Sequence, residues 1–407
     1  MKLTPICKWG ARITNFERKE RFVVEGYLDE GGESVRARAV TATLPGDFSP
    51  PEEAHTLQEA IEPKIDPASL PAETLWNEVL ARLGWITERL AAERFQIKIW
   101  SGREFRGYYS SFGSTMTSRF PLSKLKISVR VQESSLVKRA GAREGLEFFR
   151  DIPQALAEDF LRDVQQTRAA TKGRFPAKEL VLDPEAAAMF LHEAIGHPSE
   201  ADNVLEGNSY LSSFSGQHIA SPEATVVDSP KDYPGLGAYP FDDEGVLAQT
   251  TPLLEKGVVR RNLTDRSTGT GLKMRSTGNA RSFWYDATPK VRMSNLVMLP
   301  GKKSLERILS ETKDGILVKG MKEGGCDERT GDFHFRPNIA YRIANGELKD
   351  AVAIPEVVGN AKTFLNAITD VSSEWSLTVA GCGKPTPQSD YVWAGFGASF
   401  VKFRLTT

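Results

Sequence analysis

The spacing of apolar residues along the N-terminal half of the chain alternates between two periods. Residues 145–168 carry apolar side chains at helical spacing. The segments RFQIKIWSG and LKISVRVQES alternate between apolar and polar residues, as strands do. Residues 72–93 also have the helical period, with Leu75, Val79, Leu80, Leu83, Ile86 and Leu90 on one face. This half is therefore predicted to mix helices with strands.

The pattern changes after about residue 205, where Gly, Ser, Thr, Asp and Pro become dense. Strand-like segments look short there, as in ATVVD, GVVRRNLTD and VAIPEVVG, and one helical segment, SLERILSETK, begins at Ser304. We therefore expect an α+β protein with a helix-rich α/β N-terminal domain, residues 1–190, and a β-rich C-terminal domain, residues 191–407. The boundary is placed only loosely, within residues 170–205.

Length and composition narrow the class of protein. A chain of 407 residues is too long for one ordinary core, which makes two domains the default. The balance of 52 Lys and Arg against 53 Asp and Glu argues against a general surface for nucleic acid or anionic membranes. There is no apolar run near the ~20 residues that span a bilayer, and the first residues lack a secretory apolar region. Three widely separated cysteines favour a reduced, cytoplasmic protein.

The segment LHEAIGHPSEAD carries the most informative chemistry. It holds two of the five histidines, His192 and His197, with Glu193 directly after the first. Zinc binds imidazole, thiolate and carboxylate groups, and a catalytic zinc usually has three protein ligands and one open position. A glutamate beside a ligand is the residue type that deprotonates water in such sites. The preceding residues predict a short buried strand, a turn at Asp183-Pro184 and a helix that Asp183 caps.

The spacing of the two histidines does not suit a regular α-helix. Residues five apart differ by about 140° around an α-helix, so both side chains cannot reach one metal ion from a straight one. Either the helix ends between His192 and His197 or it contains a π-type turn. Gly196 and Pro198 flank the second histidine, where a distorted or interrupted helix costs least. The alternative is that both histidines are ordinary helix residues, one buried and one exposed.

A third ligand has to come from another part of the chain. Cys382, in TVAGCGKPTPQ, is the best candidate because its two flanking glycines would let a backbone loop approach a metal ion. Its other interpretation is a small buried apolar residue. Cys326 also follows glycines and is the second choice, whereas His334 fits a strand and His218 and His55 have no supporting neighbours.

The acidic segment FDDEG, with Asp242 to Gly245, has two interpretations. Clustered carboxylates can bind Mg²⁺ or Ca²⁺. A tight turn is favoured, because Asp, Glu and Gly in this order supply turn chemistry directly.

Several blocks, taken in order, resemble the TldD/PmbA family of zinc metalloproteases. They are LVLDPEAAAMFLHEAIGHPSEAD, FDDEGVLAQTTPLLEKGVV, STGNARS, PKVRMSNLVMLPG, GDFHF and CGKPTPQ, and they cover roughly residues 178–388. The resemblance implies an HExxxH motif in which His192, His197 and Cys382 hold zinc and Glu193 is the general base. It also implies a substrate that is a peptide or an unfolded protein segment, and a homodimer or a heterodimer with a related subunit. The first 65 residues look unlike the family's usual N-terminal opening.

These observations predict a zinc-dependent peptidase in which zinc and Glu193 activate water. The rival hypothesis is a non-catalytic subunit that binds peptides or a partner and uses zinc only structurally, for which a closed site with four protein ligands would be expected. A zinc deaminase is disfavoured because the PCxxC element is absent. We expect neither nucleic acid nor a membrane among its partners.

Overall fold

The computed structural model describes most of residues 54–405. Before residue 54 it describes four short strands. Later gaps fall at 67–76, 78–83, 87, 91–92, 111–112, 152–153, 174, 283–287 and 385–389. Much of the helix predicted over residues 72–93 therefore lies outside the described residues, and 77, 84–86 and 88–89 within it are helical.

Strands dominate the described residues. The α-helices whose full bounds fall within the described residues are Glu147–Asp151, Gln154–Thr167, Pro184–Leu191, Ala201–Leu205, Arg266–Gly271, Leu305–Ser310 and Ala361–Asn366. The first strands are β1 Lys8–Asn15, β2 Glu20–Val24, β3 Tyr27–Asp29, β4 Gly32–Ser34, β5 Thr56–Ala60, β6 Arg94–Ser110, β7 Thr115–Val131, β8 Ser134–Ala142, β9 Thr171–Lys172 and β10 Glu179–Leu182. The later strands are β11 Val226–Asp228, β12 Thr251–Glu255, β13 Val258–Val259, β14 Ala280–Arg281, β15 Lys290–Val291, β16 Asn295–Met298, β17 Asp314–Cys326, β18 Asp332–Ala344, β19 Glu347–Ala353, β20 Val357–Asn360, β21 Ile368–Lys384 and β22 Asp390–Arg404.

A six-stranded sheet forms the first layer. Its order is β2-β1-β6-β7-β5, with β8 paired to β7, and β6 and β7 form a long antiparallel hairpin. The helix Gln154–Thr167 buries Phe160, Leu161 and Val164 in the same core as Ile127 and Val129 of β7. The helical period of residues 145–168 and the strand alternation of LKISVRV are both confirmed.

A twelve-stranded sheet forms the second layer. Its order is β13-β12-β11-β16-β22-β10-β17-β18-β19-β9, with β20 added to β18 and β21 to β22. The α+β class is confirmed, but the expectation of short C-terminal strands is wrong, since β17, β18, β21 and β22 have 13 to 17 residues. Glycines and β-bulges interrupt the alternation of apolar and polar residues in these strands. The sequence pattern therefore does not reveal how long the strands are. Strand β10 precedes the predicted domain boundary but pairs with β17 and β22 of this sheet. The division between residues 190 and 191 stays a prediction.

The helix Pro184–Leu191, here called the motif helix, begins as the sequence predicts. Asp183 caps it by accepting the N–H of Ala186 at 2.8 Å, and Pro184 occupies its first turn. The same carboxyl oxygen accepts the N–H of Gly320 in β17 at 3.0 Å. Asp183 therefore fixes the start of the motif helix against the large sheet.

The far end of the motif helix is held by aromatic packing. The ring of Phe190 lies between 5.2 and 6.1 Å from the rings of Phe333, Phe335, Phe364 and Phe403. The edge-on contacts with Phe333, Phe335 and Phe403, whose rings are buried, restrict sliding of the helix along the sheet. This packing fixes the position of the helix end, and therefore the position of His192, which follows it.

An ion pair connects the motif helix to the six-stranded sheet. Nζ of Lys138 in β8 lies 2.8 Å from a carboxyl oxygen of Glu185, whose side chain is buried.

None of the helices in the described part of the chain is long and apolar enough to cross a membrane.

Candidate metal centre

The helix changes type at the first histidine. Residues His192–Gly196 form a π-helical turn, followed by a 3₁₀ turn over His197–Ser199. The backbone N–H of His197 donates to the carbonyl oxygen of His192. Of the two expected distortions, the structure therefore has the π-type turn. It places the two imidazole rings 4.9 Å apart and nearly perpendicular.

Side chains from outside the turn accommodate its irregular backbone. The hydroxyl of Tyr210 donates to the carbonyl oxygen of Ala194 at 2.7 Å, and the hydroxyl of Ser199 donates to that of Ile195 at 2.7 Å. A buried carbonyl without a donor costs free energy, so these bonds reduce the cost of leaving α-helical geometry.

Gly196 is needed for a reason different from the expected one. Its backbone angles, φ −61° and ψ −63°, are open to any residue, so the turn does not need the conformational freedom of glycine. An added Cβ, however, would overlap the sulfur of Met293, which is fully buried. Close packing against Met293 therefore favours glycine at this position.

Cys382 reaches the histidines from β21. The expectation that it lies in a loop is wrong, because it is the third residue from the end of this 17-residue strand and pairs with Val392. Its Sγ lies 3.6 Å from Nε2 of His197. His192, His197 and Cys382 each offer one ligand atom, and these atoms lie within 4.8 Å of one another. All three side chains are buried.

The other candidates from the sequence lie elsewhere. Cys326 ends β17 and is half-buried, and it is not part of the three-residue cluster. His334 is an exposed residue of β18, as expected for a strand residue, and His218 is exposed. Among the described residues, no second group of His, Cys, Asp and Glu is arranged to hold a metal ion.

The cluster favours a thiolate beside a positive imidazole. Burial alone would raise the pKa of Cys382, but His197 and His192 hold it well below its usual value. Burial would lower the pKa of His197, but Cys382 and Glu200 raise it well above its usual value. A deprotonated thiol is the form in which cysteine binds a metal ion.

Glu193 borders the cluster without joining it. Its Oε2 lies 4.0 Å from Nε2 of His197, and its side chain is 19% exposed, whereas that of His197 is 10% exposed. Burial raises its pKa, against the effect of the two histidines. A carboxylate with a raised pKa beside a reacting centre suits proton transfer near neutral pH.

The donor set fits a zinc ion. A tetrahedral zinc bound at about 2.0–2.1 Å to nitrogen and about 2.3 Å to sulfur holds those two atoms about 3.6 Å apart. The observed separation of Sγ of Cys382 and Nε2 of His197 is 3.6 Å. In addition, Nδ1 of His192 is buried and has no hydrogen-bond partner among the described residues, so the ring is not fully engaged by protein groups.

The acidic segment FDDEG forms a turn, as the sequence favours. One carboxyl oxygen of Asp242 accepts the N–H groups of Glu244 and Val246, and the other accepts that of Ala280. These local bonds engage the Asp242 carboxylate and give it a structural role at the turn.

Comparison with known proteins identifies the family. Residues 177–391, more than half of the chain, match the model of the PmbA/TldA metallopeptidase C-terminal domain. The chain belongs to the TldD/PmbA family. This match spans the motif helix, both histidines and Cys382, and the family resemblance drawn from the sequence blocks is confirmed.

Relatives of this TldD/PmbA chain are named as metalloproteases. It is 37% identical over 232 residues to a metalloprotease of Methanothermobacter thermautotrophicus, covering 57% of this chain and 49% of that one. It is 31% identical over 299 residues to a zinc metalloprotease TldD homolog of Saccharolobus solfataricus, covering 71% and 66%. The chain spans about half the length of the first of these relatives.

The fold is that of solved TldD/PmbA structures. TldE from Thermococcus kodakarensis superposes with a TM-score of 0.65, covering 92% of this chain and 81% of that one at 20% identity. At this identity the likeness concerns the fold alone.

Two polar residues beside the cluster were not predicted from the sequence. Glu200 is fully buried and its Oε2 lies 3.1 Å from Nδ1 of His197. Lys384 lies 3.0 Å from the same oxygen. The one signal available in the sequence was the position of Glu200 three residues after a histidine, on the same side of a helical turn.

Proposed function

We propose that this chain is a zinc-dependent peptidase acting on peptides or unfolded protein segments. His192, His197 and Cys382 would hold the zinc ion, and Glu193 would be the general base. The observation that carries the proposal is the meeting of two imidazoles and a thiol in a buried cluster, with the carboxylate of Glu193 at its border. The names of the relatives support the same activity.

The roles of the protein groups follow from their positions. A bound zinc ion would supply Lewis acidity toward a peptide carbonyl and toward a water molecule. Glu193 directly follows His192 in the π turn, so the two side chains project in different directions and the Glu193 carboxylate approaches the cluster from its border. It would accept a proton from the attacking water and deliver it to the leaving amine.

The number of ligands supports an enzyme over a structural metal site. Structural zinc sites are usually closed by four protein ligands, whereas catalytic sites keep one position free. In the described part of the chain the cluster contains three ligand residues, and Glu193 is not one of them. The rival hypothesis of a non-catalytic binding subunit would need a fourth protein ligand.

Pairing with a second subunit is part of the proposal. The name TldE belongs to the solved structure that shares this fold, and a TldD homolog is among the relatives. We propose a homodimer or a heterodimer with a related subunit, since long strands such as β21 leave backbone groups at sheet edges that another chain can cover.

Zinc content and cleavage, measured together, test the function. The purified chain is expected to hold about one zinc ion per catalytic site and to cleave a mixed pool of unstructured peptides. A chelator should abolish cleavage, and added zinc should restore it. Cleavage that persists in zinc-free protein would contradict the proposal, and so would zinc-loaded protein, assayed with and without its partner subunit, that cleaves no peptide.

A further inference from the structure

The carboxylate of Glu200 contacts both parts of the candidate site. Its Oε2 lies 3.1 Å from Nδ1 of His197 and 3.0 Å from Nζ of Lys384. Its side chain is fully buried, so water does not compete for these contacts.

The imidazole of His197 has its two nitrogens engaged on opposite sides. Nδ1 faces Glu200, and Nε2 faces the thiol of Cys382 at 3.6 Å. A carboxylate at Nδ1 favours a proton on that nitrogen. Nε2 is then the nitrogen that would give up its proton to bind a metal ion, and the basicity of the ring is increased.

Lys384 connects the same carboxylate to the strand that supplies the thiol. It lies two residues after Cys382 in β21, so the two side chains project from the same face of the strand. Its Nζ also lies 2.5 Å from Asp202. Glu200 thus bridges the segment that carries His197 and the strand that carries Cys382.

We propose that Glu200 is a positioning residue that sets the tautomer of His197 and, through Lys384, holds the Cys382 strand at the distance the metal requires. The inference rests on the proposed metal centre and concerns the affinity of that centre. Removing a group that hydrogen-bonds to a metal ligand, without binding the metal itself, commonly weakens metal affinity by about 10–100-fold.

A purely structural ion pair is the alternative explanation. Buried carboxylates paired with lysine often serve only to satisfy one another, and removing one partner destabilises the fold. Such a role would lower the free energy of unfolding of the metal-free protein and leave the affinity of the folded protein for zinc unchanged. Asp202 provides a matched control, since it pairs with the same lysine but is not among the groups that contact His197.

The test measures the zinc dissociation constant by competition with a chelator in the full chain. Glu200→Ala is expected to weaken zinc binding by about 10–100-fold. Glu200→Gln should weaken it less, because its amide oxygen can still accept the Nδ1 proton but carries no charge. Asp202→Asn should remain within about threefold of the wild type, because it leaves the His197 contact in place. The absorption spectrum of the cobalt-substituted protein should shift in both Glu200 variants and not in Asp202→Asn.

The outcomes separate this inference from the proposed function. If Glu200→Ala does not fold, Glu200→Gln decides the question by its zinc affinity and cobalt spectrum. Folded Glu200 variants with wild-type affinity and spectrum would overturn the positioning role while the metal centre stands. Absence of zinc binding by the wild type would overturn both.

Discussion

The backbone N–H of His197 bonds to the carbonyl oxygen of His192, five residues earlier. This single bond reconciles the spacing of the motif with one metal ion, since a π turn brings residues five apart onto the same side. The π turn packs closely against the side chain of Met293, which lies next to Gly196. Substitution at Gly196 therefore tests the geometry of the site without touching a proposed ligand.

Gly196→Ala should damage both stability and metal binding. The added Cβ overlaps the sulfur of Met293, and overpacking a buried site costs typically about 1–3 kcal/mol. The expected result is a lower free energy of unfolding in urea together with weaker zinc binding. Gly325→Ala is the control, since a Cβ there meets nothing within 4 Å. Equal stability of the two variants would refute this account of Gly196.

Cys382→Ala should empty the centre, whereas Cys326→Ala should not. Cys382 is buried with its Sγ 3.6 Å from His197, whereas Cys326 lies at the end of β17 outside the cluster. Elemental analysis of both purified variants measures the zinc retained per chain. Loss of zinc from Cys326→Ala alone would reverse the assignment of the third ligand.

Glu193→Gln should keep the zinc and the fold but lose hydrolysis. The amide preserves the shape of the side chain and cannot accept the proton, and general-base catalysis is worth about 10²–10⁴ in rate. Zinc content and cleavage of unstructured peptides are measured on the same preparation. Unchanged cleavage would remove Glu193 from the mechanism, and loss of zinc would make it a ligand.

Lys124 should make stability depend on pH. Burial, with help from Arg139 and Lys126, lowers its pKa to about 7, although its Nζ lies 3.5 Å from the centre of the Trp393 ring. Between pH 7 and the usual lysine value of about 10.4 the unfolded chain binds more protons, so this group makes stability rise with pH there. Below pH 7 the lysine is charged in both states and its burial cost is fully present.

Lys124→Met isolates this contribution. The variant should gain the most stability relative to the wild type at pH 7 and below, and the gain should shrink as the pH rises toward 10. Urea unfolding at several pH values measures the difference. A gain that is independent of pH would show that Lys124 does not titrate in this range.

The chain should associate with a second copy or with a related subunit. Light scattering at micromolar concentration should give a mass above the 44.9 kDa of one chain, either alone or after mixing with the partner. A fully active peptidase that remains a monomer of that mass would exclude an obligatory dimer.

Local signals in the sequence were sufficient to predict the start of the motif helix and a distortion near its end. Asp183 and Pro184 predict the start of the helix, because a cap and a first-turn proline act within a few residues. The five-residue spacing of His192 and His197 leaves two geometries open, and the structure has one of them.

Contacts between distant residues could not be predicted in this way. Nothing in the neighbourhood of Cys382 shows that it lies on a long strand, because its flanking glycines resemble those of a loop. Glu200 and Lys384 meet across 184 residues of sequence, and their pairing depends on the register of the large sheet. The role of Gly196 likewise depends on Met293, which approaches from a different element.

The position of Cys382 in β21 has a consequence during synthesis of the protein. The thiol lies 185 residues beyond His197, on a strand that pairs with β22. A nascent chain with residues 192–197 already outside the ribosome would offer two imidazoles and a flexible carboxylate, a weak and unselective site for metal ions. Selective binding at the proposed metal centre would therefore have to wait until β21 has been synthesised and has joined the sheet.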